Sequence, residues 1–253
     1  MAINTSLNDR VAVITGAASG FGAATAQRLA AEGARIALLA RRKDRLDAVV
    51  AAITTAGGTA LPIAVDVRDA SAVDAAAAQV ATELGTADLV VNNAGVMLAH
   101  AIEDGRTDEW QQMIDTNIAG VLNMLRAFTQ PLLDAGAAGR TADLVNVSSV
   151  GAHVAFPHYA VYGATKAFVT ALSTSLRTEF GPRGVRVTNI EPGLGETELG
   201  QGLDGAHGEQ LSQMWDAIGP LQADDIADLI AYTTSRPAHV NLRQVIVLPT
   251  SQA

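Results

Sequence analysis

The chain has 253 residues, of which 49% are hydrophobic and 17% charged, and its formal net charge is −9. This composition predicts a large buried core and excludes a disordered chain, while the acidic balance argues against a nucleic-acid partner, whose phosphates need a basic face. Because the chain has no Cys, disulfides, thiolate nucleophiles and Cys-ligated metal or iron–sulfur centres are excluded.

Short apolar runs alternate along the chain with longer Ala-rich stretches, which is the pattern of repeating strand–helix units. The runs predict strands over residues 11–15, 35–40, 61–65, 89–91, 144–147, 185–190 and 244–248. The stretches between them predict helices over 22–32, 43–56, 70–84, 108–135, 161–180 and 224–234. We therefore expect the α/β class, with a single doubly wound Rossmann domain over 1–253 and a seven-stranded, mostly parallel sheet with helices on both faces. The Gly-rich, acidic stretch 193–219 is expected to be a substrate lid.

Two windows without charged side chains, 48–65 and 144–165, have the length of a membrane span. Glycines and a proline interrupt the first window, and polar side chains that lipid would leave unpaired interrupt the second. The apolar run after Arg10 loosely resembles a secretory signal, but glycines and polar residues break it. We expect a cytoplasmic protein with no membrane partner.

A glycine-rich turn, Thr15-Gly16-Ala17-Ala18-Ser19-Gly20-Phe21-Gly22, follows the first predicted strand and leads into a helix. Glycines let backbone N–H groups approach a pyrophosphate, and the helix N-terminus favours its negative charge. The alternative is a tight strand–helix connection of any α/β protein. A P-loop is excluded, because no Gly-Lys-Ser/Thr sequence follows.

The end of the second predicted strand indicates which cofactor this turn would bind. Enzymes selective for NAD usually place an acidic side chain there, on the ribose hydroxyls. Here the sequence is Ala40-Arg41-Arg42-Lys43, which suits the 2′-phosphate of NADP(H). Arg41 is the expected phosphate contact, while Arg42 and Lys43 have the alternative of being solvated helix residues. Asp66 is expected either to accept from the adenine amino group or to cap the helix that begins at residue 70.

Tyr162 and Lys166 lie four residues apart on a predicted helix and therefore share one face. An adjacent ammonium is expected to lower the pKa of the phenol, so that Tyr162 exchanges protons with an alcohol or carbonyl oxygen. Tyr159 also lies on this face, but its greater rise along the axis argues against it.

The order and spacing of these signals resemble the short-chain dehydrogenase/reductase family in its compact single-domain form, over nearly the whole chain. The resemblance rests on the turn that begins at Thr15 and on Asn92-Asn93-Ala94-Gly95 after the fourth predicted strand. It also rests on the following residues: Asn117, Ser149, which lies 13 residues before Tyr162, and Pro192-Gly193 with Thr197. Ser148 is the rival of Ser149, and adjacent strand residues face opposite sides.

The resemblance implies a catalytic set of Asn117, Ser149, Tyr162 and Lys166. Ser149 would hydrogen-bond the substrate oxygen, Tyr162 would be the general acid/base, and Lys166 would hold the nicotinamide ribose. Asn117 would position a water that links Lys166 to solvent. Residue reasoning and resemblance together predict NADP(H) contacts from these residues: Gly16, Ser19, Gly20, Phe21, Gly22, Arg41, Arg42, Asp66, Val67, Asn93, Ala94, Gly95, Tyr162, Lys166, Pro192, Gly193 and Thr197.

Two features depart from the common family pattern. The loop after Pro192 has Gly195 where the family has an apolar residue, and Glu196 follows. The C-terminal segment 237–252 lacks the Asp-Gly-Gly ending and is similar to the subgroup of NADP-dependent 3-hydroxy acid and serine dehydrogenases and clavulanic acid dehydrogenase. With Gly195 and Glu196 in place of the family residues, we expect this loop to pack less tightly over the cofactor.

The expected activity is interconversion of an alcohol with a ketone or aldehyde, and no metal site is expected because the histidines are scattered singly. The expected pocket walls, 152–158 and 194–215, contain no Arg or Lys, which favours a neutral carbonyl compound over a small hydroxy acid. A 3-hydroxy acid dehydrogenase, a lyase or epimerase, and a non-catalytic redox sensor are the alternatives. The resemblance also implies a dimer or tetramer through helices 108–135 and 161–180. The stripe of Leu172, Leu176 and Phe180 is either part of this interface or core.

Overall fold

The computed structural model describes residues 7–196, 198–200 and 218–252. Within these residues the strands are β1 (Val11–Thr15), β2 (Arg35–Ala40), β3 (Thr59–Ala64), β4 (Leu89–Asn92), β5 (Ala142–Val147), β6 (Val185–Pro192) and β7 (Gln244–Val247). The helices are α1 (Gly20–Ala31), α2 (Lys43–Thr55), α3 (Ala70–Glu83), α4 (Thr107–Ile114), α5 (Gly120–Ala137), α6 (Ala160–Phe180) and α7 (Ala223–Thr234). Short 3₁₀ turns lie at Val150–Ala152 and Glu198–Gly200.

The strands form one sheet in the order β3-β2-β1-β4-β5-β6-β7, and every neighbouring pair is parallel. The chain runs outward from β1 to β3 and then returns to place β4 beside β1. This reversal between β1 and β4 is the topological switch point of the sheet. It opens a crevice at the carboxyl ends of the strands, which is where ligands bind in sheets of this kind. The α/β doubly wound prediction is confirmed.

Alternate residues of the strands point into two separate hydrophobic cores, one on each face of the sheet. In β1, Val11 and Val13 belong to the core that includes residues of α3, α5 and α6. Ala12 and Ile14 belong to the opposite core, which includes residues of α1, α2 and α7. Burial on both faces explains why the strands read as continuous apolar runs rather than as alternating patterns.

The predicted helix 108–135 is not one regular α-helix. A π-helical turn, Asp115–Ala119, separates α4 from α5. Such turns insert one extra residue into an α-helix and occur frequently at functional sites. The sequence period alone did not reveal this turn, because one extra residue disturbs the apolar pattern only slightly.

Buried charges meet at the amino ends of the central strands, at the sheet edge opposite the crevice. Arg10 donates to Asp88 at 2.7 Å and to Asp143 at 2.9 Å, and Arg186 donates to Asp143 at 2.7 Å. These four side chains are at most 11% exposed. Their mutual pairing therefore joins β1, β4, β5 and β6 at this edge. In the described ranges, no helix has both the length and the apolar character needed to cross a membrane.

Candidate active site

A cleft of about 700 Å³ opens at the carboxyl ends of the strands. Most of the residues predicted from the sequence line it: Gly16, Ser19, Gly20, Phe21, Arg41, Arg42, Asp66, Val67, Asn93, Ala94, Gly95, Ser149, Tyr162, Lys166, Pro192 and Gly193. Gly22 and Asn117 lie next to the cleft without lining it. Thr197 lies outside the described residues, as do residues 201–217 of the expected lid.

The glycine-rich turn leaves space where side chains would otherwise stand. Gly16 has a φ of +66°, and a Cβ there would lie 2.8 Å from the side-chain nitrogen of Asn93. A Cβ on Gly22 would lie 2.3 Å from the carbonyl oxygen of Gly16. The turn is held to the segment after β4 because the Thr15 hydroxyl accepts from the backbone N–H groups of Asn93 and Ala94, both at 3.0 Å.

The residues of this turn fit a dinucleotide pyrophosphate. Ser19 is the N-cap of α1 and makes no side-chain capping bond, and the first turn of α1 carries no acidic residue. The N-terminal N–H groups of α1 therefore have no side-chain acceptor there, and they favour an anionic ligand. The glycine cradle and this helix end support the expectation of a nicotinamide dinucleotide.

The basic residues after β2 have different environments. Lys43 pairs with Asp47 one turn along α2, so it is a solvated helix residue, as the alternative interpretation held. Arg42 turns toward the cleft and pairs with Glu198 at 2.7 Å. Arg41 lines the cleft and makes no hydrogen bond or salt bridge to any other residue of the described ranges. Arg41 is therefore available to an incoming anion.

Asp66 lines the cleft but does not cap α3. Both of its carboxylate oxygens accept from Arg68, at 2.6 to 3.0 Å, and this hydrogen bonding lowers the pKa of Asp66. Asp69 caps α3 instead, since its side chain accepts from the backbone N–H groups of Ser71 and Ala72. The alternative role given to Asp66, that of helix cap, is therefore wrong.

Tyr162 and Lys166 project from α6 toward the end of β5 and are buried, with exposures of 7% and 5%. The ammonium of Lys166 donates to the carbonyl oxygen of Val147 at 3.0 Å and lies 5.8 Å from the centroid of the Tyr162 ring. The nearby Ser149 hydroxyl favours the phenolate of Tyr162 and so acts to lower its pKa, and it also accepts from the backbone N–H of Gly151 at 3.1 Å. Ser148 points the other way, because its hydroxyl donates to the carbonyl of Lys166 at 2.8 Å.

Burial dominates the proton affinities of the two buried groups. It raises the pKa of Tyr162 to about 12, against the lowering effect of the Ser149 hydroxyl. It lowers the pKa of Lys166 to about 8. The expectation that Lys166 lowers the pKa of Tyr162 is therefore wrong for this form of the protein. The Lys166 ammonium donates to the carbonyl of Val147 and not to the phenol. Burial also deprives the phenolate of hydration, which raises the pKa of Tyr162.

Asn117 occupies the π-helical turn, and its side chain is 1% exposed. Its amide oxygen accepts from Val96 N at 2.8 Å, and its amide nitrogen donates to Val96 O at 2.9 Å and to the Thr165 hydroxyl at 3.0 Å. This side chain fixes the loop after β4 to α6. Its neighbours Gly95, Val96 and Thr116 line the cleft. A Cβ on Gly95 would lie 3.3 Å from the Asn117 side-chain oxygen and 3.5 Å from the Lys166 side-chain nitrogen.

The departure at Gly195 has a physical cause. A Cβ at this position would lie 2.5 Å from the ring of Phe21, which comes from the glycine-rich turn. The Phe21 ring therefore fills the space that a larger residue at 195 would need. This size exchange joins residues far apart in the sequence, so nothing in the local pattern could reveal it.

Glu191, Gln244 and Gln252 lie in or beside the cleft and were not assigned roles from the sequence. Glu191, which is fully buried, accepts from His153 at 2.9 Å and from Gln244 at 2.8 Å. Gln252 lines the cleft and accepts from Leu194 N at 2.8 Å. No short motif marks these residues, because their partners are distant in sequence. Among the described residues, no group of three or more His, Cys, Asp or Glu side chains is arranged to hold a metal ion.

A doubly wound parallel sheet, a glycine cradle at its switch point and a buried Tyr–Lys pair beside a serine define a dinucleotide-binding oxidoreductase of the Rossmann type. The chain belongs to the short-chain dehydrogenase family, whose sequence model matches residues 10–207. This finding confirms the resemblance inferred from the motifs.

Individual relatives cover nearly the whole chain. Serine 3-dehydrogenase of Rhizobium radiobacter is 38% identical over 242 residues, covering 95% of this chain and 94% of that protein. Sulfoacetaldehyde reductase 2 of Chromohalobacter salexigens is 38% identical over 244 residues, covering 96% and 95%. The solved closed form of serine dehydrogenase complexed with NADP+ superposes with a TM-score of 0.88 at 29% identity, covering 96% of each chain. A relative of the serine dehydrogenase type was expected from the C-terminal segment, and it is found.

Proposed function

We propose that this protein is an NADP(H)-dependent oxidoreductase that interconverts an alcohol with a ketone or aldehyde. The observation that carries the proposal is one cleft that joins two sets of groups. Ser149, Tyr162 and Lys166 lie on the β5 side of the switch point, and Arg41 and Arg42 lie on the β2 side. A dinucleotide cofactor spans such a crevice from one side to the other.

The cofactor would lie with its phosphates against the glycine cradle, and its nicotinamide would supply or accept the hydride. The Ser149 hydroxyl then donates to the substrate oxygen, where negative charge develops during carbonyl reduction. Tyr162 delivers the proton to this oxygen, and its raised pKa keeps the phenol protonated at neutral pH. In alcohol oxidation the same hydroxyl must first lose its proton, so the oxidative direction gains as pH rises. Lys166, buried beside this pair, would hold the ribose hydroxyls of the cofactor.

The role of Tyr162 is tested by replacing it with Phe, which removes the proton donor and keeps the ring. We expect Tyr162→Phe to lower kcat by roughly 10²-fold or more while cofactor affinity stays within a small factor. Tyr159→Phe is the matched control, because Tyr159 stacks edge-on against Tyr162 at 6.5 Å and loses the same atom. Steady-state kinetics and cofactor titration of both variants are the measurements. If Tyr159→Phe were the more damaged variant, the assignment would be wrong.

The cofactor is tested by titrating NADPH and NADH against the wild-type protein and Arg41→Ala. We expect NADPH to bind at least about tenfold more tightly, a difference of about 1.4 kcal/mol, because Arg41 is available to a 2′-phosphate. In Arg41→Ala the preference should fall and NADH affinity should hold. Solved relatives with bound NADP support this choice. Equal affinities in the wild-type protein would refute it.

A neutral carbonyl substrate is favoured by the apolar groups of the cleft, which include Val154, Phe156 and Leu199. A small anionic substrate is the second candidate, because relatives named for serine and sulfoacetaldehyde oxidoreduction are 38% identical to this chain. His153 also brings an imidazole to the cleft, with its Nε2 hydrogen-bonded to Glu191 at 2.9 Å. A panel of neutral ketones, aldehydes, 3-hydroxy acids and a sulfonated aldehyde, ranked by kcat/KM, decides between the two.

A further inference from the structure

An acidic side chain stands among the groups that would bind the 2′-phosphate. The guanidinium of Arg42 donates to the carboxylate of Glu198 at 2.7 Å and to the hydroxyl of Ser19 at 3.3 Å. The nearby Ser19 hydroxyl also favours the charged form of Glu198 and lowers the pKa of its carboxyl. Ser19 belongs to the turn after β1, Arg42 to the turn after β2 and Glu198 to the segment after β6, and all three line the cleft.

The Glu198 carboxylate therefore occupies donors, the Arg42 guanidinium and the Ser19 hydroxyl beside it, that a phosphate monoester would also use. Arginine and a hydroxyl at a helix N-cap bind both anions through the same N–H and O–H groups. Arg42 also holds the pKa of Glu198 below its ordinary value, so the carboxylate is charged at neutral pH. A doubly charged phosphate and this carboxylate repel each other, and they compete for the same donors.

We propose that Glu198 occupies the 2′-phosphate position of the free protein and has to leave it when NADPH binds. The inference rests on the proposed NADP(H) function. A cofactor without the 2′-phosphate needs no such displacement. Glu198 therefore weakens NADPH binding selectively and narrows the preference of the protein for NADPH over NADH.

The consequence is an affinity change confined to ligands with a 2′-phosphate. The ion pair is about half exposed, with side-chain exposures of 47% and 37%. In the wild-type protein, NADPH binding has to break this pair and overcome the repulsion. A variant without the carboxylate is spared both costs, which corresponds to about three- to tenfold tighter binding of NADPH. In Glu198→Gln, 2′,5′-ADP and NADPH should bind more tightly by this factor. The ligands 5′-AMP and NADH should stay within about twofold of their wild-type affinities.

Glu196→Gln is the matched control. Glu196 lies two residues away, is exposed and accepts from Gln222 at 2.9 Å, so this variant removes the same charge from the same segment. It should change none of the four affinities. Arg42→Ala should weaken 2′,5′-ADP and leave 5′-AMP unchanged, because it removes the donor for which both anions compete.

Calorimetric titration of 2′,5′-ADP and 5′-AMP, and fluorescence titration of NADPH and NADH, measure these affinities without turnover. The inference is supported if only Glu198→Gln tightens the two ligands that carry the 2′-phosphate. Unchanged or weaker 2′,5′-ADP binding in Glu198→Gln overturns it while the NADP(H) proposal stands. An equal gain in Glu196→Gln also overturns it, because the effect would then be one of net charge. If neither the wild-type protein nor Glu198→Gln binds ligands with a 2′-phosphate more tightly than those without it, the proposed cofactor is overturned as well.

Discussion

Lys166 is a buried cation whose only hydrogen bond within the described residues is to the carbonyl of Val147. Burial lowers its pKa to about 8, well below the ordinary value of 10.5. Between these two values the unfolded chain binds a proton that the folded protein has released. The buried ammonium therefore lowers the free energy of unfolding in full below about pH 8. This destabilisation disappears as pH rises from 8 toward 10.5.

We accordingly expect Lys166→Met to be more stable than the wild-type protein at pH 7, by about 1–3 kcal/mol, because it removes an ammonium that burial disfavours. This advantage should shrink as pH rises from 7 to 10. Urea unfolding at several pH values in this range measures it. Above pH 10 the raised pKa of Tyr162 adds an effect of opposite sign, because there the folded protein retains the proton.

The chain offers a matched control, since its only two lysines are Lys43 and Lys166. Lys43 is 69% exposed and pairs with Asp47. Lys43→Met should therefore run parallel to the wild-type protein over the same pH range. Lysine-labelled protein would show two side-chain NMR signals, and the one lost in Lys166→Met should titrate near pH 8. Parallel stability curves for Lys166→Met and the wild-type protein would contradict the effect of burial.

Residues with local signals were recognisable in the sequence, and residues with distant partners were not. The glycine-rich turn and the Tyr162–Lys166 spacing depend on neighbours along the chain, so their pattern is visible there. The pairing of Arg42 with Glu198 joins positions 156 residues apart. The exchange of size between Phe21 and Gly195 also needs the folded chain. These contacts decide which basic groups a cofactor would find available.

At the scale of elements, the apolar runs predict where strands lie but not where they end. The structure begins β5 at Ala142 and extends β6 to Pro192, beyond the predicted ranges. Both extensions contain buried acids, Asp143 and Glu191. Asp143 is paired by Arg10 and Arg186, and Glu191 by His153 and other donors. Charged residues interrupt an apolar run in the sequence, whereas partners from other elements make their burial favourable in the fold.

The junction of β1 and α1 depends on the close approach of two backbone segments. We expect Gly22→Ala to lower stability by about 1–3 kcal/mol and NADPH affinity by more than about tenfold, since the turn must shift to admit a methyl group. The methyl carbon would lie 2.3 Å from the Gly16 oxygen and 2.5 Å from the Asn93 amide nitrogen. Thermal unfolding and NADPH titration are the measurements.

Gly181 provides the comparison for this substitution. It stands at the end of α6 with a φ of −53°, and a Cβ there would meet no atom within 4 Å. Gly181→Ala should leave cofactor binding unchanged and alter stability by less than about 1 kcal/mol. If the two variants behaved alike, close packing at Gly22 would not be the reason for a glycine there.

At the scale of the whole molecule, the two ends of the strands carry different kinds of residue. The carboxyl ends of the strands carry the cleft, with its glycines, Arg41 and the buried Tyr162. The amino edge carries the buried ion network of Arg10, Asp88, Asp143 and Arg186, whose charges are paired with one another. Removing Asp143 would leave Arg186 buried without a carboxylate partner, so this network stabilises the strands that present the cleft.

The expected oligomer also belongs to this scale, and the burial of the helix residues bears on where we expect its interface. Phe180 is part of the hydrophobic core, and Leu176 packs against that core, so the stripe of Leu172, Leu176 and Phe180 is mainly core. The long helical region still exposes Ile114 by 39% and Leu122 by 43%. A contact between copies through α4 and α5 would cover these side chains.

Light scattering at micromolar concentration should therefore give two or four times the chain mass of 26.1 kDa. Leu122→Glu should shift the mass toward a single chain, because burying an unpaired carboxylate at an apolar contact is costly. Ile102→Glu is the control, since Ile102 is also exposed, by 57%, but lies outside α4 and α5. A wild-type mass of 26.1 kDa would exclude the oligomer. A mass unchanged by Leu122→Glu but reduced by Ile102→Glu would place the contact elsewhere on the molecule, away from α5.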